Sequence, residues 1–222
     1  GLDYSDDRNF AKLRYGGFMI MTDADVDGKH VAGLILNFFY CRYPSLLHRG
    51  YLINYLTPIL RASKGKTVIP FFSMPAYNAW RESTDSAGWL IKYYKGLGTS
   101  KDQDVRSDVE RPRKVVCELD PDADSAMKLA FDHTSKEGRK DLVANWRSEM
   151  EREYETAQPL SHFIYNDLVQ YSVDSVRRAI PALTDGLKVS QRKILYGVMK
   201  KFKVALGAKY AEDRTAQVAV YC

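Results

Sequence analysis

Three aspartates, Asp23, Asp25 and Asp27, alternate along the segment Asp23-Ala24-Asp25-Val26-Asp27-Gly28. Carboxylates at that spacing can converge, and their mutual repulsion favours a shared divalent cation. An all-oxygen ligand set suits hard ions, Mg²⁺ first, with Mn²⁺ or Ca²⁺ as substitutes. The same D-x-D-x-D-G spelling opens an EF-hand loop. That reading fails at the twelfth position counted from Asp23, which is Leu34 where a bidentate glutamate is required. It fails again just upstream, where an apolar strand-like run replaces the amphipathic helix. An acidic surface turn is the remaining alternative.

Two further groups could touch a polyanion. Lys95-Gly96-Leu97-Gly98-Thr99 is a glycine loop leading into a helix start, marked by Ser100 and Gln103 in a capping-box pattern. Gly96 and Gly98 permit close backbone approach, and exposed amides at a helix start favour an anion; a purely structural turn has the same spelling. The second group is C-terminal. Residues 157–222 hold ten Lys/Arg against five Asp/Glu, which accounts for the whole net charge of +5. Seven of those cations fall between Asp185 and Glu212 with no acid among them, the footprint of a phosphate-backbone contact or of a solvated helix face. The histidines, His30, His48, His133 and His162, show no metal-ligand spacing.

The elements that must position these residues are legible in outline. Phe18–Met21 reads as a buried parallel strand, followed by the acidic loop and a helix with apolar positions Val31, Leu34, Ile35, Phe38 and Phe39. Pro44 ends that helix and opens a short one. Strands are expected at Tyr51–Ala62, Val68–Ser73, Ile91–Tyr94 and Val115–Leu119, and helices at Asp122–Asp132 and Lys136–Tyr154. Glu155–Leu160, with Thr156, Gln158 and Pro159, reads as a linker. Beyond it, Phe163, Leu168 and Tyr171 suggest a helix. Lys188–Phe202 is another, with Ile194, Leu195, Val198, Met199 and Phe202 on a core-facing stripe and cations off it, as helix-turn-helix elements are built.

Three segments carry a family resemblance. Arg14–Gly28 resembles the acidic motif of the TOPRIM domain of type IIA DNA topoisomerases; Lys92–Ser100 resembles that family's YKGLG element; Ala179–Lys193 is similar to the opening of its breakage-reunion domain. They occur in the family's order and with family-like spacing. The spelling of the acidic motif is closer to bacterial members, and that of YYKGLGTS to eukaryotic and large-DNA-virus members.

The resemblance implies an α/β fold: a partial TOPRIM with a Rossmann-like parallel sheet over residues 1–155, then a mainly helical segment, 156–222, beginning a winged-helix DNA-binding domain. It implies an ATP-dependent enzyme that passes duplex DNA through a transient tyrosine-linked double-strand break, acting as a homodimer. Asp23, Asp25 and Asp27 then become Mg²⁺ ligands, with a further glutamate expected before Gly1. Lys95, Gly96, Gly98, Arg139, Lys140, Lys188, Gln191, Arg192 and Lys193 become contacts to double-stranded DNA. No catalytic residue is expected within the sequence, since the tyrosine would lie after Cys222, and the ATP site would lie before Gly1. Val189 departs from the family, which often has proline after the lysine. A TOPRIM nuclease or primase could share the aspartates but has no need of the Ile180–Lys193 segment; a non-catalytic DNA-binding module is the other alternative.

Composition is consistent with this. No run approaches the ~18 to 20 apolar residues of a membrane helix, and neither signal nor transit sequence opens the chain, so a nuclear or cytoplasmic location is expected, or a viral factory for a viral protein. Cys41, Cys117 and Cys222 are isolated and odd in number, arguing against a disulfide framework.

Overall fold

The computed structural model of the protein describes residues 3–94 and 100–202. The chain divides into two compact units, residues 1–171 and 172–222.

The first unit is α/β. Its main sheet has strands β1 (Phe18–Met21), β2 (Leu52–Leu56), β6 (Arg113–Glu118) and β7 (Ala157–Pro159) in the order β1-β2-β6-β7. The sheet is mixed: β1 runs parallel to β2 and β6 parallel to β7, while β2 and β6 are antiparallel. A smaller antiparallel sheet contains β3 (Leu60–Lys64), β4 (Thr67–Phe71) and β5 (Leu90–Tyr93) in the order β4-β3-β5. The single expected strand Tyr51–Ala62 is therefore two strands in two sheets. Pro58 explains the break, because it has no N–H to give a ladder and restricts the residue before it.

The acidic loop is held by β1 and helix α2 (Val26–Arg42). One side of α2 supplies Ala32, Leu36 and Phe39 to a core shared with Ile20, Leu52, Cys117, Leu160 and Phe163. Gly33 lies on this side too: a Cβ there would sit 3.1 Å from Leu168 and 3.3 Å from Phe163. Within β1 only Ile20 is buried, and Phe18, Met19 and Met21 are exposed. The expected parallel pairing is present, with β2, but among the described residues β1 ends the sheet and has only one face covered. Pro44 does open a short helix, α3 (Pro44–His48).

Helix α4 (Met74–Ser83) begins at Ser73, whose hydroxyl accepts from the Ala76 N–H at 3.3 Å. Ser73, read as a strand end, is thus an N-cap. The same unit contains α1 (Asp7–Phe10), α5 (Asp102–Glu110), α6 (Ala123–Phe131) and α7 (Lys136–Asn145). The expected helix Lys136–Tyr154 stops at Asn145 because Trp146 turns extended, and a 3₁₀ turn at Ser148–Met150 follows. Half of the expected linker Glu155–Leu160 is β7: Pro159 is tolerated because β7 is the last strand of the sheet among the described residues. The chain then enters α8 (Leu160–His162), a π-helical turn (Phe163–Leu168) and α9 (Val169–Ala179).

The second unit begins within α9 and contains α10 (Val189–Phe202). Between them Gly186, at φ +69°, allows a turn in which Ala182 N–H donates to Leu187 O and Gly186 N–H to Ala182 O, each at 2.9 Å. The expected apolar stripe of α10 is not buried, since Ile194, Leu195 and Met199 are all exposed.

Candidate functional site

Asp23 and Ala24 follow β1, Asp25 is the N-cap of α2, and Asp27 lies in its first turn. Asp25 adopts extended backbone and turns its carboxylate back, accepting from the Gly28 N–H at 3.0 Å. Gly28 is buried against the loop so closely that a Cβ would lie 2.0 Å from the Asp23 carbonyl oxygen. The loop is therefore wrapped tightly around the first turn of a helix, at the carboxyl end of a parallel strand.

This geometry spreads the carboxylates apart. Once Val26 and Asp27 are helical, residues two apart no longer face each other, and among the described residues no three carboxylate, imidazole or thiol groups gather as a metal-holding set. The donor chemistry still suits a hard cation: oxygen only, with Asp23 and Asp27 exposed and Asp25 half-buried. The positive end of α2 favours the negative charge these side chains bring.

Behind the loop sits a buried polar cluster. Asp167, 1% exposed, is on the π-helical turn, and Lys29 Nζ reaches it at 3.2 Å while donating to Gln170 Oε1 at 2.8 Å. Gln158 Nε2 donates to the other Asp167 oxygen at 2.5 Å, and the Tyr154 hydroxyl donates to the first. Burial, followed by the Asp167 charge, pushes the Tyr154 phenol well above its ordinary range and keeps it protonated. His30 stacks on Tyr171 at 4.0 Å between ring centroids. A cleft of about 30 Å³ touches Asp23, Ala24, Lys29, Tyr154 and Asp167, so the cluster and the acidic loop share one neighbourhood.

The sequence model of the family described as the C-terminal associated domain of TOPRIM matches residues 55–176. The chain is 38% identical over 216 residues to DNA topoisomerase 2-alpha of Gallus gallus, covering 90% of this chain and 14% of that protein. It is 37% identical over 217 residues to DNA topoisomerase 2-beta of Homo sapiens, covering 89% of this chain and 13% of the relative. The crystal structure of the Plasmodium falciparum topoisomerase II DNA-binding, cleavage and re-ligation domain superposes with a TM-score of 0.78 at 36% identity, over 95% of this chain and 29% of that one. The chain belongs to the TOPRIM-containing family of type IIA DNA topoisomerases. It spans roughly one seventh of the length of those full relatives.

Within this topoisomerase segment the expected DNA contacts fare unequally. Lys95, Gly96 and Gly98 lie outside the described residues, but both flanks of their segment are anchored. Asp104 accepts from Lys92 Nζ at 3.1 Å, from the Tyr94 hydroxyl at 2.9 Å and from the Lys101 N–H at 3.2 Å. Burial raises the Asp104 pKa, but these hydrogen bonds outweigh it and leave the group below its usual range. Asp104 makes Lys101 the N-cap of α5, one position later than the Ser100/Gln103 pattern indicates, because the aspartate outcompetes the glutamine as the residue reaching back. Beside it Arg61, 6% exposed, pairs with Asp108 at 2.5 Å and lies over the Tyr94 ring.

Arg139 is turned inward. Its Nη1 donates to Leu129 O at 3.1 Å and to Asp132 O, closing the C-terminal end of α6. Lys140 is exposed and pairs with Glu137 at 2.8 Å. In the second unit Lys188 is exposed and its N–H donates to Gln191 Oε1 at 2.8 Å, so Gln191 helps to start α10 at Val189 without the family's proline. Arg192 makes two hydrogen bonds to Asp185, at 2.8 and 2.6 Å, and a third to Leu187 O. Hydrogen bonding from Arg192 pulls the Asp185 carboxyl down to about 2. Lys193 is exposed on the same helix. Sequence reasoning missed Lys29, Asp167, Arg61 and Asp104; the last had a signal, as an acid at the third helical position.

Proposed function

We propose that the chain is the part of a type IIA DNA topoisomerase that brings a metal-binding acidic loop and a basic helix start to the gate DNA, in an ATP-dependent homodimeric enzyme whose ATP site and tyrosine are supplied by other parts. The division proposed is a TOPRIM part and its tail over 1–155, followed from 156 by the start of the breakage-reunion domain. The observation that carries the reading is the acidic loop, clamped at the carboxyl end of β1 by the Asp25 cap and the Gly28 contact.

Asp23, Asp25 and Asp27 would hold Mg²⁺, with Mn²⁺ or Ca²⁺ as substitutes. A divalent cation bound there would neutralise charge on the scissile phosphate and on the departing oxygen. The chain's own residues orient and exclude. Asp25 commits one oxygen to Gly28 and keeps the other for the ion; Lys29 and Asp167 fix the first turn of α2 from behind; Lys188, Lys193 and the Arg192–Asp185 pair present cations to a duplex backbone. Phosphate contacts of this kind position the protein without reading sequence.

The test is Asp23→Asn and Asp25→Asn in the complete enzyme. Metal-dependent DNA cleavage should fall by about 10² to 10³, the usual cost of removing an electrostatic stabiliser, while DNA binding holds. Cleavage unchanged in Mg²⁺ would remove the metal site from Asp23–Asp27. That no three candidate ligands gather among the described residues favours a second reading, a DNA-binding module without its own metal; DNA binding that persists with no measurable Mg²⁺ binding would select it.

A further inference from the structure

A cleft of about 1200 Å³ opens on the first unit between α7, the Ser148–Met150 turn, β7 and α8. Three of the residues that line it each carry a buried side-chain atom with no hydrogen-bond partner: Trp146 Nε1, His162 Nε2 and Asn166 Nδ2. Asn166 is only 3% exposed, and its Oδ1 already accepts from the Arg152 N–H at 2.7 Å. Its amide nitrogen is a buried donor without a partner. Trp146 Nε1 is a donor without alternative, since indole cannot accept. Buried donors are rarely left unmet, so two of them on residues that line one cleft point to an occupant that brings acceptors.

The backbone identifies its form. β7 is the terminal strand of its sheet, and Ala157 and Pro159 line the cleft. In the parallel pairing of β6 and β7 the Val116 N–H donates to Thr156 O at 3.0 Å, which turns the Ala157 N–H and C=O away from β6. Pro159 has no N–H to obstruct, and as the N-cap of α8 it ends the edge there. An open strand edge inside a cleft is the arrangement in which an extended peptide adds as a further strand. The volume also exceeds the ~300 to 1,000 Å³ of ordinary small-molecule pockets. Charge completes the description: Asp141, Glu153 and Glu155 line the cleft against the single guanidinium of Arg152.

We propose that this cleft binds an extended, basic peptide segment of a partner protein, added to the free edge of β7. The peptide's carbonyls accept from Trp146 Nε1 and Asn166 Nδ2, and its Lys or Arg side chains pair with Asp141, Glu153 and Glu155. Tyr154 lines both this cleft and the small one beside the acidic loop, so the two sites are neighbours.

The test is ¹H–¹⁵N NMR on the full chain, titrated with an acetylated, amidated peptide of alternating Val and Lys. The controls are a Val/Glu peptide of equal length and an N-methylated Val/Lys peptide that cannot pair as a strand. The Val/Lys peptide should move the Trp146 indole and Ala157 amide resonances and slow Ala157 exchange with solvent, and neither control should do so. Trp146→Phe, which keeps an aromatic ring and removes the donor, should weaken binding several-fold. Glu153→Gln with Glu155→Gln should weaken it about two- to five-fold per carboxylate. The proposal is overturned if millimolar Val/Lys peptide leaves both resonances unmoved, if the N-methylated peptide binds equally well, or if Trp146→Phe has no effect on affinity in a chain whose remaining amide spectrum is unchanged.

Discussion

Gly28→Ala isolates the contact that shapes the acidic loop. The new Cβ would lie 2.0 Å from the Asp23 carbonyl oxygen, 2.8 Å from its carbonyl carbon and 2.9 Å from its nitrogen, against roughly 3.5 Å for an unstrained contact. All three atoms are backbone, so no rotamer change can relieve the overlap: either the Asp23 peptide moves or the first turn of α2 unwinds. Forcing a methyl group into a filled site costs about 1–3 kcal/mol. Alanine returns up to about 1 kcal/mol of helix propensity, and less than that in a first turn. The clash wins, leaving a net loss of about 1–2 kcal/mol, which for a domain of this size lowers Tm by roughly 2–8 °C. Thermal unfolding of the chain followed by circular dichroism measures it, with Gly65→Ala as reference: Gly65 has nothing within 4 Å, so that change carries only the strain of φ +59°. The Asp23 amide resonance should shift as well. A Gly28→Ala chain as stable as wild type would refute the clamp, and with it the claim that this glycine sets where Asp23 stands.

Lys29→Met removes the cation facing buried Asp167 while preserving most of the side-chain volume; with Tyr154 and Gln158 still donating to the carboxylate, the loss should be about 1–3 kcal/mol in chemical denaturation, and no loss would mean the Lys29–Asp167 contact is solvent-screened. Alanine at Arg192 and Lys193 together in the complete enzyme should flatten the slope of log affinity against log salt by roughly 0.9 for every phosphate no longer neutralised; an unchanged slope would mean that Asp185 retains Arg192 when DNA binds. Because the Asp185 carboxyl is depressed to about 2, its pairing with Arg192 is fully present above the ordinary aspartate value of 3.8 and disappears as pH falls through about 2. A carboxyl-carbon NMR titration of Asp185 with a midpoint at that ordinary value would show that the pair does not persist in solution.

What could be read in the sequence was local. The order strand, acidic loop, helix is set by an apolar run meeting an aspartate N-cap, and it stands as expected. Pro44 marked the start of α3 for the same kind of reason, since proline is pre-organised for a first helical turn. The losses came where tertiary position decides. Thr156, Gln158 and Pro159 look like a linker until β6 is known to lie alongside, and β1 looks fully buried until its place at the sheet edge is known. The apolar stripe of α10 has a helical period whether or not anything covers it. Among candidate site residues, Arg139 reaches the end of α6 from within α7, a contact set by how the two helices pack and not by local spacing. The pairing of Lys29 with Asp167 joins residues far apart in the chain and rests on the π-helical turn, which no short-range pattern announces.

The position of β1 bears on handling the protein at the bench. Among the described residues β1 has a strand on one side alone and leaves Phe18, Met19 and Met21 exposed, and apolar open edges are what natural sheets avoid because any passing strand can zip onto them. Purification of this chain alone should therefore be governed by concentration-dependent self-association, with turbidity appearing long before thermal unfolding. A single lysine at Met21 would act as a gatekeeper on that edge, giving up a little apolar surface for a tractable, monodisperse sample.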